Sequence, residues 1–423
     1  MEIRPILSAL LRNKTGPVLV AVQVALSLAI LANALHIVQV RQAVSARESG
    51  LANEQDVFAL QIRHLKPGGH EEQLNAQRTE AATLRAVPGV LSVAITNQMP
   101  LSRSGNYSGL ATDRKQLKSS ATSANYMGGD SLVKTWGLRL VEGRDFVPGD
   151  VLEIDENLSN EFPKTSILTR ALAEKLWPGQ SGFVGRSFYY GTGNEAKEMR
   201  VVGVVEKLQT PDAAIKEGGE FSALLPVRRT GGSGSSNFTL RAEPGQLDRV
   251  VKEAEAAVRA AAPMPVIVKI KTMNEIRTAR YRADKALSWM LVAVSVLLLL
   301  ITASGIVGMA SLWVTQRSKQ IGVRRALGAR RLDVLRYFVT ENVMITSAGV
   351  AAGVLLALGL NQLLVSKLEM ARLPAGYLLA GAGVFLALGV AAVYGPAWRA
   401  ATISPATATL ARSGRSALEA VRS

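Results

Sequence analysis

The sequence of 423 residues contains no cysteine, so disulfide bonds, thiolate catalysis and cysteine-ligated metal sites are excluded. A large domain outside a membrane must therefore be held together by its own hydrophobic core. The sequence also lacks a G-x-x-x-x-G-K-[ST] phosphate loop, an H-E-x-x-H zinc motif and a nucleophile elbow in a hydrolase setting. It has three histidines. We expect His36 to lie at the membrane interface, and His64 and His70 are too isolated to suggest a metal site. We therefore expect no catalytic residue, no metal and no bound cofactor in this chain.

Charged residues are missing from four long apolar runs, at residues 15–40, 286–316, 342–366 and 373–398. Each run exceeds the roughly 20 residues needed to cross a bilayer. The sequence therefore predicts an integral membrane protein with four transmembrane helices. An intramembrane proton relay or ion pathway would need a charge near the centre of a span, and no run contains one.

Two of these runs contain small residues at a spacing of four. The third run has Gly349-x-x-x-Gly353, and the second has Ser304-x-x-x-Gly308. This spacing permits close approach of two helices, although glycine is also common in membrane helices that do not use it in this way. The sequence alone leaves both interpretations open.

The excess of positive charge lies beside the apolar runs. The formal net charge is +16, and residues 1–16, 316–331 and 397–423 together hold 13 basic and 2 acidic residues. These stretches supply 11 of the 16 net charges, a distribution that orients a membrane protein with its basic segments in the cytoplasm. Binding to nucleic acid is not indicated, because no DNA- or RNA-binding motif accompanies the charge.

The basic stretch at residues 315–331, TQRSKQIGVRRALGARR, lies between the second and third spans. It carries six cations and no acid: Arg317, Lys319, Arg324, Arg325, Arg330 and Arg331. Two interpretations follow from its position and charge. The stretch is either a topogenic loop that obeys the positive-inside rule or a docking helix for a cytoplasmic partner.

The first run also supports two interpretations. Ala32-Asn33-Ala34 forms an A-x-A pattern like that of a signal-peptidase site, so a cleaved secretory signal is one alternative. We expect an uncleaved anchor, because the run is longer than a typical signal core and continues beyond this pattern to Val40. Residues 1–14 are amphipathic and predict an interfacial helix on the cytoplasmic side.

Residues 41–284 form the polar, globular part of the chain, and the charge distribution places it in the periplasm or at the cell exterior. Two strand–helix–strand patterns within it end in the similar segments LRAVPGVLSVAI and VRAAAPMPVIVKI. Two such units can combine into one split βαβ sandwich. The insertion between them, at residues 98–236, is rich in strand and turn signals and predicts a β-rich subdomain.

Three groups of motifs resemble the MacB/FtsX-like permeases of ATP-binding-cassette (ABC) transporters. The segment SLWVTQRSKQIGVRRALGARR is similar to the family pattern Q-R-x-x-E-I-G-I-R-x-A-x-G-A. The globular part contains LRAVPGVLSVAI, the pattern G-L-x-L-x-x-G-R-x-F at residues 137–146, ILTRALAEKLWPGQ, Gly185-Arg186 and VVGVV. The segment PAWRAATISPATATL is similar to the family ending P-A-x-R-A-x-x-I-x-P-x-x-A-L. These motifs cover nearly the whole chain in the family order.

The resemblance implies a fold class and a domain plan. The fold is an α-helical integral membrane protein with four transmembrane helices and a large periplasmic α+β domain, in which a split βαβ porter-like subdomain carries an inserted β-rich subdomain. The expected order is a cytoplasmic amphipathic helix (1–14), transmembrane helix 1 (15–40), the periplasmic MacB-like domain (41–284, porter-like at 50–97 and 237–271, inserted at 98–236), a stalk with transmembrane helix 2 (272–315), a cytoplasmic coupling helix (316–331), transmembrane helix 3 (334–366), transmembrane helix 4 (373–396) and a cytoplasmic tail (397–423).

The resemblance further implies a transport subunit of the bacterial inner membrane that is not itself an enzyme. Its ATPase-coupling residues would be Gln320, Ile321, Gly322, Val323, Arg324, Arg325, Ala326, Leu327, Gly328 and Ala329. The partners would be a cytoplasmic ABC ATPase dimer, a second permease and the lipid bilayer, with a periplasmic adaptor and an outer-membrane channel as further candidates. ATP would be bound by the ATPase, which we expect in a separate chain because this sequence has no phosphate loop.

One residue departs from the family pattern. The family usually has glutamate before Ile-Gly, whereas Gln320 stands there in this chain. A charge-based contact with the ATPase is then missing or replaced. Because one half of a heterodimer can carry the weaker motif, this departure slightly favours pairing with a different permease over a homodimer.

The leading hypothesis is a permease that drives export or periplasmic handling of a substrate. An FtsX-like regulator that transmits ATPase motion to a periplasmic cell-wall hydrolase, and a lipoprotein-release permease, remain alternatives with the same fold. A membrane-anchored sensor fits less well, because no cytoplasmic output domain is recognisable. The inserted subdomain favours transport over the hydrolase regulator, and no motif identifies the substrate.

Overall fold

The structure, a computed structural model, describes residues 14–66, 68–214, 217–232, 234–368 and 372–402. Most of the amphipathic helix predicted at residues 1–14 lies outside these ranges, and so does the tail beyond residue 402. The chain divides into two compact units. We call the part up to Gln42 and from Asp284 onward the membrane unit, and Ala43–Ala283 the extramembrane unit.

The α-helices of the described residues are, in chain order, α1 (Thr15–Ser45), α2 (His70–Arg85), α3 (Leu132–Trp136), α4 (Arg170–Leu176), α5 (Leu247–Ala261), α6 (Met273–Gln316), α7 (Ser318–Ala326), α8 (Arg331–Leu368) and α9 (Ala375–Thr402). The strands are β1 (Val57–His64), β2 (Val90–Ile95), β3 (Tyr107–Ala111), β4 (Ala121–Met127), β5 (Leu140–Gly143), β6 (Leu152–Asp155), β7 (Thr165–Thr169), β8 (Ser187–Tyr190), β9 (Lys197–Val205), β10 (Ser222–Leu225), β11 (Val227–Thr230), β12 (Ser235–Ala242) and β13 (Val266–Thr272).

Four helices in the described part of the chain are long and apolar enough to cross a membrane, as the sequence predicted. They are α1, α6, α8 and α9, and each contains all or nearly all of one of the apolar runs. Their buried side chains form an apolar cluster in the membrane unit that includes Leu28, Ile306, Phe338 and Phe385. The prediction of four transmembrane helices is therefore confirmed.

The two small-residue motifs have different environments in the membrane unit. A Cβ atom added at Gly349 would lie 2.9 Å from the Cβ of Val24, and one added at Gly353 would lie 3.0 Å from the Cα of Ala25. Both glycines of α8 thus allow close contact with α1. A Cβ atom at Gly308 would meet nothing within 4 Å among the described residues beyond its own helix backbone. Among the described residues, this spacing therefore accompanies a helix contact in α8, whereas Gly308 of α6 has no such contact.

The extramembrane unit contains a four-stranded sheet in the order β13-β1-β12-β2, in which neighbouring strands are antiparallel. Alternate residues of β1, Phe58, Leu60 and Ile62, are fully buried, as expected for a strand that has one face on a core. They share an apolar cluster with Leu84 of α2 and Val250 of α5. Two strand–helix–strand units therefore form one sheet with a helical layer, which is the predicted split βαβ arrangement.

The segment between β2 and β12 forms the second part of this unit. Its main sheet has seven strands in the order β5-β9-β7-β10-β4-β3-β8, and β6 pairs with β11 in a separate ribbon. The sheet is mixed, because β7 runs parallel to β9 and β10 runs parallel to β4. A core that includes Leu168, Leu172 and Phe188 packs on this sheet. The insertion is therefore a β-rich subdomain with its own core.

Within the extramembrane unit, the end of α1 is joined to the start of α6 by Arg277. Its guanidinium donates from Nε and Nη2 to the two carboxylate oxygens of Glu54, at 2.7 and 2.9 Å. Its Nη1 donates to the backbone oxygens of Ser45 and Arg47, at 3.0 and 3.1 Å. A cation at these carbonyl groups stabilises the C-terminal end of α1. The two helices are therefore held together at this point.

Candidate functional site

The predicted coupling residues lie on and just after the short helix α7. Its first turn continues the hydrogen bonds of α6, because the Arg317 amide donates to the Trp313 carbonyl and the Ile321 amide donates to the Arg317 carbonyl, both at 3.0 Å. The helix ends at a turn in which Gly328 has a φ of +98°. This left-handed conformation is readily adopted by glycine and often follows the last turn of a helix. The L-G-A sequence thus stops the helix before α8 begins.

One face of α7 is buried in the membrane unit. Ile321 is only 6% exposed and belongs to the same apolar cluster as Val334 and Phe338 of α8 and Ala397 of α9. The adjacent Gly322 is buried as well. Burial of an isoleucine side chain stabilises a packing arrangement by about 1.5–3 kcal/mol. This face therefore attaches α7 to the two following helices.

A salt bridge adds a second attachment. The Nη1 atom of Arg317 donates to both carboxylate oxygens of Glu341, at 2.9 and 2.8 Å. The Glu341 side chain is only 1% exposed, and it lies about three turns into α8. Arg317 stands at the junction of α6 and α7 and is one turn before Ile321. The salt bridge and the apolar contact therefore fix the same face of the helix.

The opposite face of α7 is open. Gln320 and Val323 of α7 and Leu327 directly after it are exposed. The Leu327 amide still donates to the Val323 carbonyl at 3.0 Å, so the spacing of three and four residues places the three side chains along one side. Leu327 is 82% exposed and Val323 is 58% exposed. Two large apolar side chains beside basic residues form a surface that could be buried against another protein.

Arg324 is exposed beside this surface, and its side chain contacts an aromatic ring of α8. Its guanidinium carbon lies 5.3 Å from the centre of the Tyr337 ring of α8, a cation–π distance. Such a contact at an exposed site is worth about 0.5–1 kcal/mol. It holds the guanidinium near α8.

The structure thus separates the ten predicted residues by their surroundings. Ile321 and Gly322 face inward. Gln320, Val323, Arg324, Ala326, Leu327 and Gly328 are exposed, and Ala329 is partly buried. The side chain of Arg325 lies outside what the structure describes. Gln320, which departs from the family pattern, therefore stands on the open face rather than in the core.

Two residues that support the site were not identified from the sequence. Glu341 and Tyr337 lie 24 and 13 residues away from the residues that they contact, Arg317 and Arg324. The sequence did contain one signal for Glu341, because it is a single acid directly before an apolar run and follows a strongly basic stretch. Burial of a carboxylate at the start of an apolar run costs free energy unless a cationic side chain pairs with it.

Comparisons with known proteins place this geometry in context. The family model described as the MacB-like periplasmic core domain matches residues 23–260, and the model described as the FtsX-like permease C-terminal matches residues 292–405. The first match covers the extramembrane unit up to residue 260, and the second covers the region that includes α7.

Similar sequences are found among curated proteins. The macrolide export ATP-binding/permease protein MacB of Agrobacterium fabrum is 26% identical over 359 residues, which is 83% of this chain and 49% of that protein. The pyoverdine export ATP-binding/permease protein PvdT of Pseudomonas syringae pv. syringae is 40% identical over 133 residues, which is 31% of this chain and 20% of that protein. The chain therefore spans about half or less of the length of these relatives. A crystal structure of a heavy metal efflux pump matches 82% of this chain and 34% of that chain at 15% identity, but its TM-score of 0.17 is too low to indicate a common fold.

Proposed function

The chain belongs to the ABC transporter permease family that combines a MacB-like periplasmic core domain with an FtsX-like permease domain, and we propose that it couples ATP hydrolysis to movement of its periplasmic domain. It is a multi-pass inner-membrane protein with four membrane-spanning helices and a large periplasmic domain. The ATP would be hydrolysed by a cytoplasmic ABC ATPase that lies outside this sequence. The residues around α7 would bind that ATPase.

The observation that carries this proposal is the two-sided character of α7. Its inner face is attached by Ile321 and by the Arg317–Glu341 salt bridge, and its outer face presents Val323 and Leu327 to the surroundings. A topogenic loop needs positive charge but no such attachment. A docking element needs both an exposed contact surface and a rigid connection to the helices that it moves. The arrangement of α7 therefore favours the docking role.

Motion at α7 would be carried onward by α6. This helix has 44 residues without interruption, which corresponds to a length of roughly 66 Å. Its first turns hold the end of α1 through Arg277. A displacement of its cytoplasmic end would therefore be passed along the helix toward the periplasmic part of the chain.

We propose export as the process that this motion drives, together with a second permease, a periplasmic adaptor and an outer-membrane channel. Both relatives described above are named as exporters, one for macrolides and one for pyoverdine. Their names do not assign a substrate to this chain. The exposed position of Gln320 supports an ATPase contact that depends less on charge than in relatives with glutamate there, as in the weaker half of a heterodimer.

Charge reversal at Arg324 tests the docking role. The Arg324→Glu variant should lose most of the ATPase that co-purifies with the wild-type permease, because a repulsive group would face the docking surface. Arg399→Glu is a matched control, since Arg399 is an exposed arginine near the end of α9 and is not on α7. Equal retention of ATPase by both variants, with both inserted in the membrane, would show that α7 is only a topogenic segment.

A further inference from the structure

Helix α1 carries a polar side chain, Gln23, that the coupling role does not use. Gln23 lies about 12 Å along the helix from Thr15 and about 25 Å before Val40. This position is within the hydrocarbon core of a bilayer, which is about 30 Å thick. No water is available there to bind a polar group. The carboxamide of Gln23 therefore needs a protein partner.

The membrane unit offers no such partner among the residues that the structure describes. The Gln23 side chain is partly exposed and makes no hydrogen bond to any of them. It lies against α6, where a Cβ atom added at Gly305 would be 2.5 Å from its Oε1 atom. One turn farther along α1, Ser27 is buried and its hydroxyl lies 2.9 Å from that of Thr302. The contact between α1 and α6 therefore satisfies Ser27 and leaves Gln23 unsatisfied.

The surface of α1 around Gln23 is open. Leu19, Leu26 and Ile30 are 61, 51 and 39% exposed, and their spacing places them on the same side of the helix as Gln23. Lipid covers apolar side chains as well as protein does, so these three residues alone do not indicate a partner. The carboxamide among them does, because lipid tails neither donate nor accept hydrogen bonds.

The chemistry of the carboxamide indicates what the partner is. Its oxygen accepts hydrogen bonds and its NH2 group donates them. Two copies of the chain that are inserted in the same orientation have Gln23 at the same depth. A two-fold axis that passes beside this residue brings the two carboxamides together, and each then donates to the other. Hydrogen bonds of this kind hold membrane helices together.

We propose that the open side of α1 binds a second copy of this chain, with Gln23 of each copy hydrogen-bonded to Gln23 of the other. Leu19 and Leu26 pack around this contact. The proposal rests on the second permease of the proposed function and identifies it as a copy of this chain, and it does not require that α7 binds an ATPase. Gln320 favours a different permease, so the two residues lead to opposite expectations that one measurement separates.

The test measures association of the full chain in liposomes that contain no ATPase and no other permease. Leu117→Cys provides a single thiol for a donor or an acceptor dye, because the chain has no cysteine and Leu117 is 89% exposed. Energy transfer between the dyes over a range of protein-to-lipid ratios gives the dissociation constant. Gln23→Leu should raise this constant about tenfold, the loss expected for two interhelical hydrogen bonds.

Gln362→Leu is the matched control for the loss of a glutamine. Gln362 is an exposed residue of α8 about 8 Å before Lys367, close enough to the membrane surface for water to bind its carboxamide. The dissociation constant of this variant should equal that of the wild type. Arg324→Glu should also associate normally, which separates this interface from the coupling role.

A cysteine at position 23 tests the contact itself. Gln23→Cys, as the single thiol of the chain, should form a disulfide-linked dimer when membranes are oxidised with copper phenanthroline. Leu355→Cys, at a 71% exposed position of α8, should remain monomeric. Wild-type energy transfer no greater than that of randomly distributed monomers would assign the second permease to a different chain and overturn the proposal. An unchanged dissociation constant in Gln23→Leu would overturn it as well.

Discussion

Replacing Arg317 by leucine should destabilise the membrane unit strongly. The change leaves the Glu341 carboxylate, which is 1% exposed, without the two hydrogen bonds that Arg317 donates at 2.9 and 2.8 Å. Removal of one partner from a buried ion pair costs about 3–5 kcal/mol. Because the Arg317 side chain is 23% exposed and water can reach part of the site, we expect a loss of about 3 kcal/mol, near the lower end of that range.

The double variant Arg317→Leu/Glu341→Leu provides the critical comparison. It removes the buried charge together with its partner, and a well-packed apolar pair can replace a buried ion pair at little cost. We therefore expect the double variant to recover most of the stability that the single variant loses. The assay is the melting temperature of purified protein in one detergent, with Arg399→Leu as the control for loss of an exposed arginine. The single variant Glu341→Leu completes the comparison. A double variant whose loss of stability equals the sum of the losses in Arg317→Leu and Glu341→Leu would refute the reasoning.

Two further predictions concern helix contacts. Gly353→Leu should lower stability by about 1–3 kcal/mol through overpacking against α1, whereas Gly308→Leu should have little effect because its surroundings are open; melting temperatures would distinguish them. Burial raises the pKa of Glu54, but hydrogen bonds from Arg277 and Ser49 outweigh it, so the pKa lies below its ordinary value of 4.5. This carboxylate stabilises the fold above that ordinary value, and the contribution is lost as the pH falls through the lowered pKa. The free energy of unfolding should therefore decrease less steeply below pH 4.5 in Glu54→Gln than in the wild type, which denaturant unfolding at a series of pH values would measure.

The membrane fold was predictable from the sequence because a long uncharged apolar run is stable in few environments besides the core of a bilayer. The split βαβ arrangement was also predictable, since strand and helix patterns are local and occur twice. The order of the seven-stranded sheet was not, because it pairs β3 with β8 and β10 with β4 across long sequence separations. Local patterns carry no information on which distant strands meet.

In the candidate site, too, the local motif was predictable from the sequence and the long-range contacts were not. The basic stretch and its similarity to a family motif identified residues 320–329, and their role in coupling stays a prediction. The partners that hold the helix, Glu341 and Tyr337, depend on how α7 folds back on α8. The two small-residue motifs were indistinguishable in sequence, because only the position of α1 shows that Gly349 and Gly353 are in contact with another helix.

A site-specific cross-link from the open face of α7 tests the coupling role most directly. The chain has no cysteine, so Leu327→Cys provides a single thiol that can carry benzophenone maleimide. Leu117→Cys is the control, because Leu117 is 89% exposed and belongs to the extramembrane unit. After illumination of membranes that contain the transporter, we expect a cross-link from position 327, but not from position 117, to a protein with an ABC ATPase domain. Labelled, correctly inserted protein that forms no such cross-link from position 327 would contradict the coupling role.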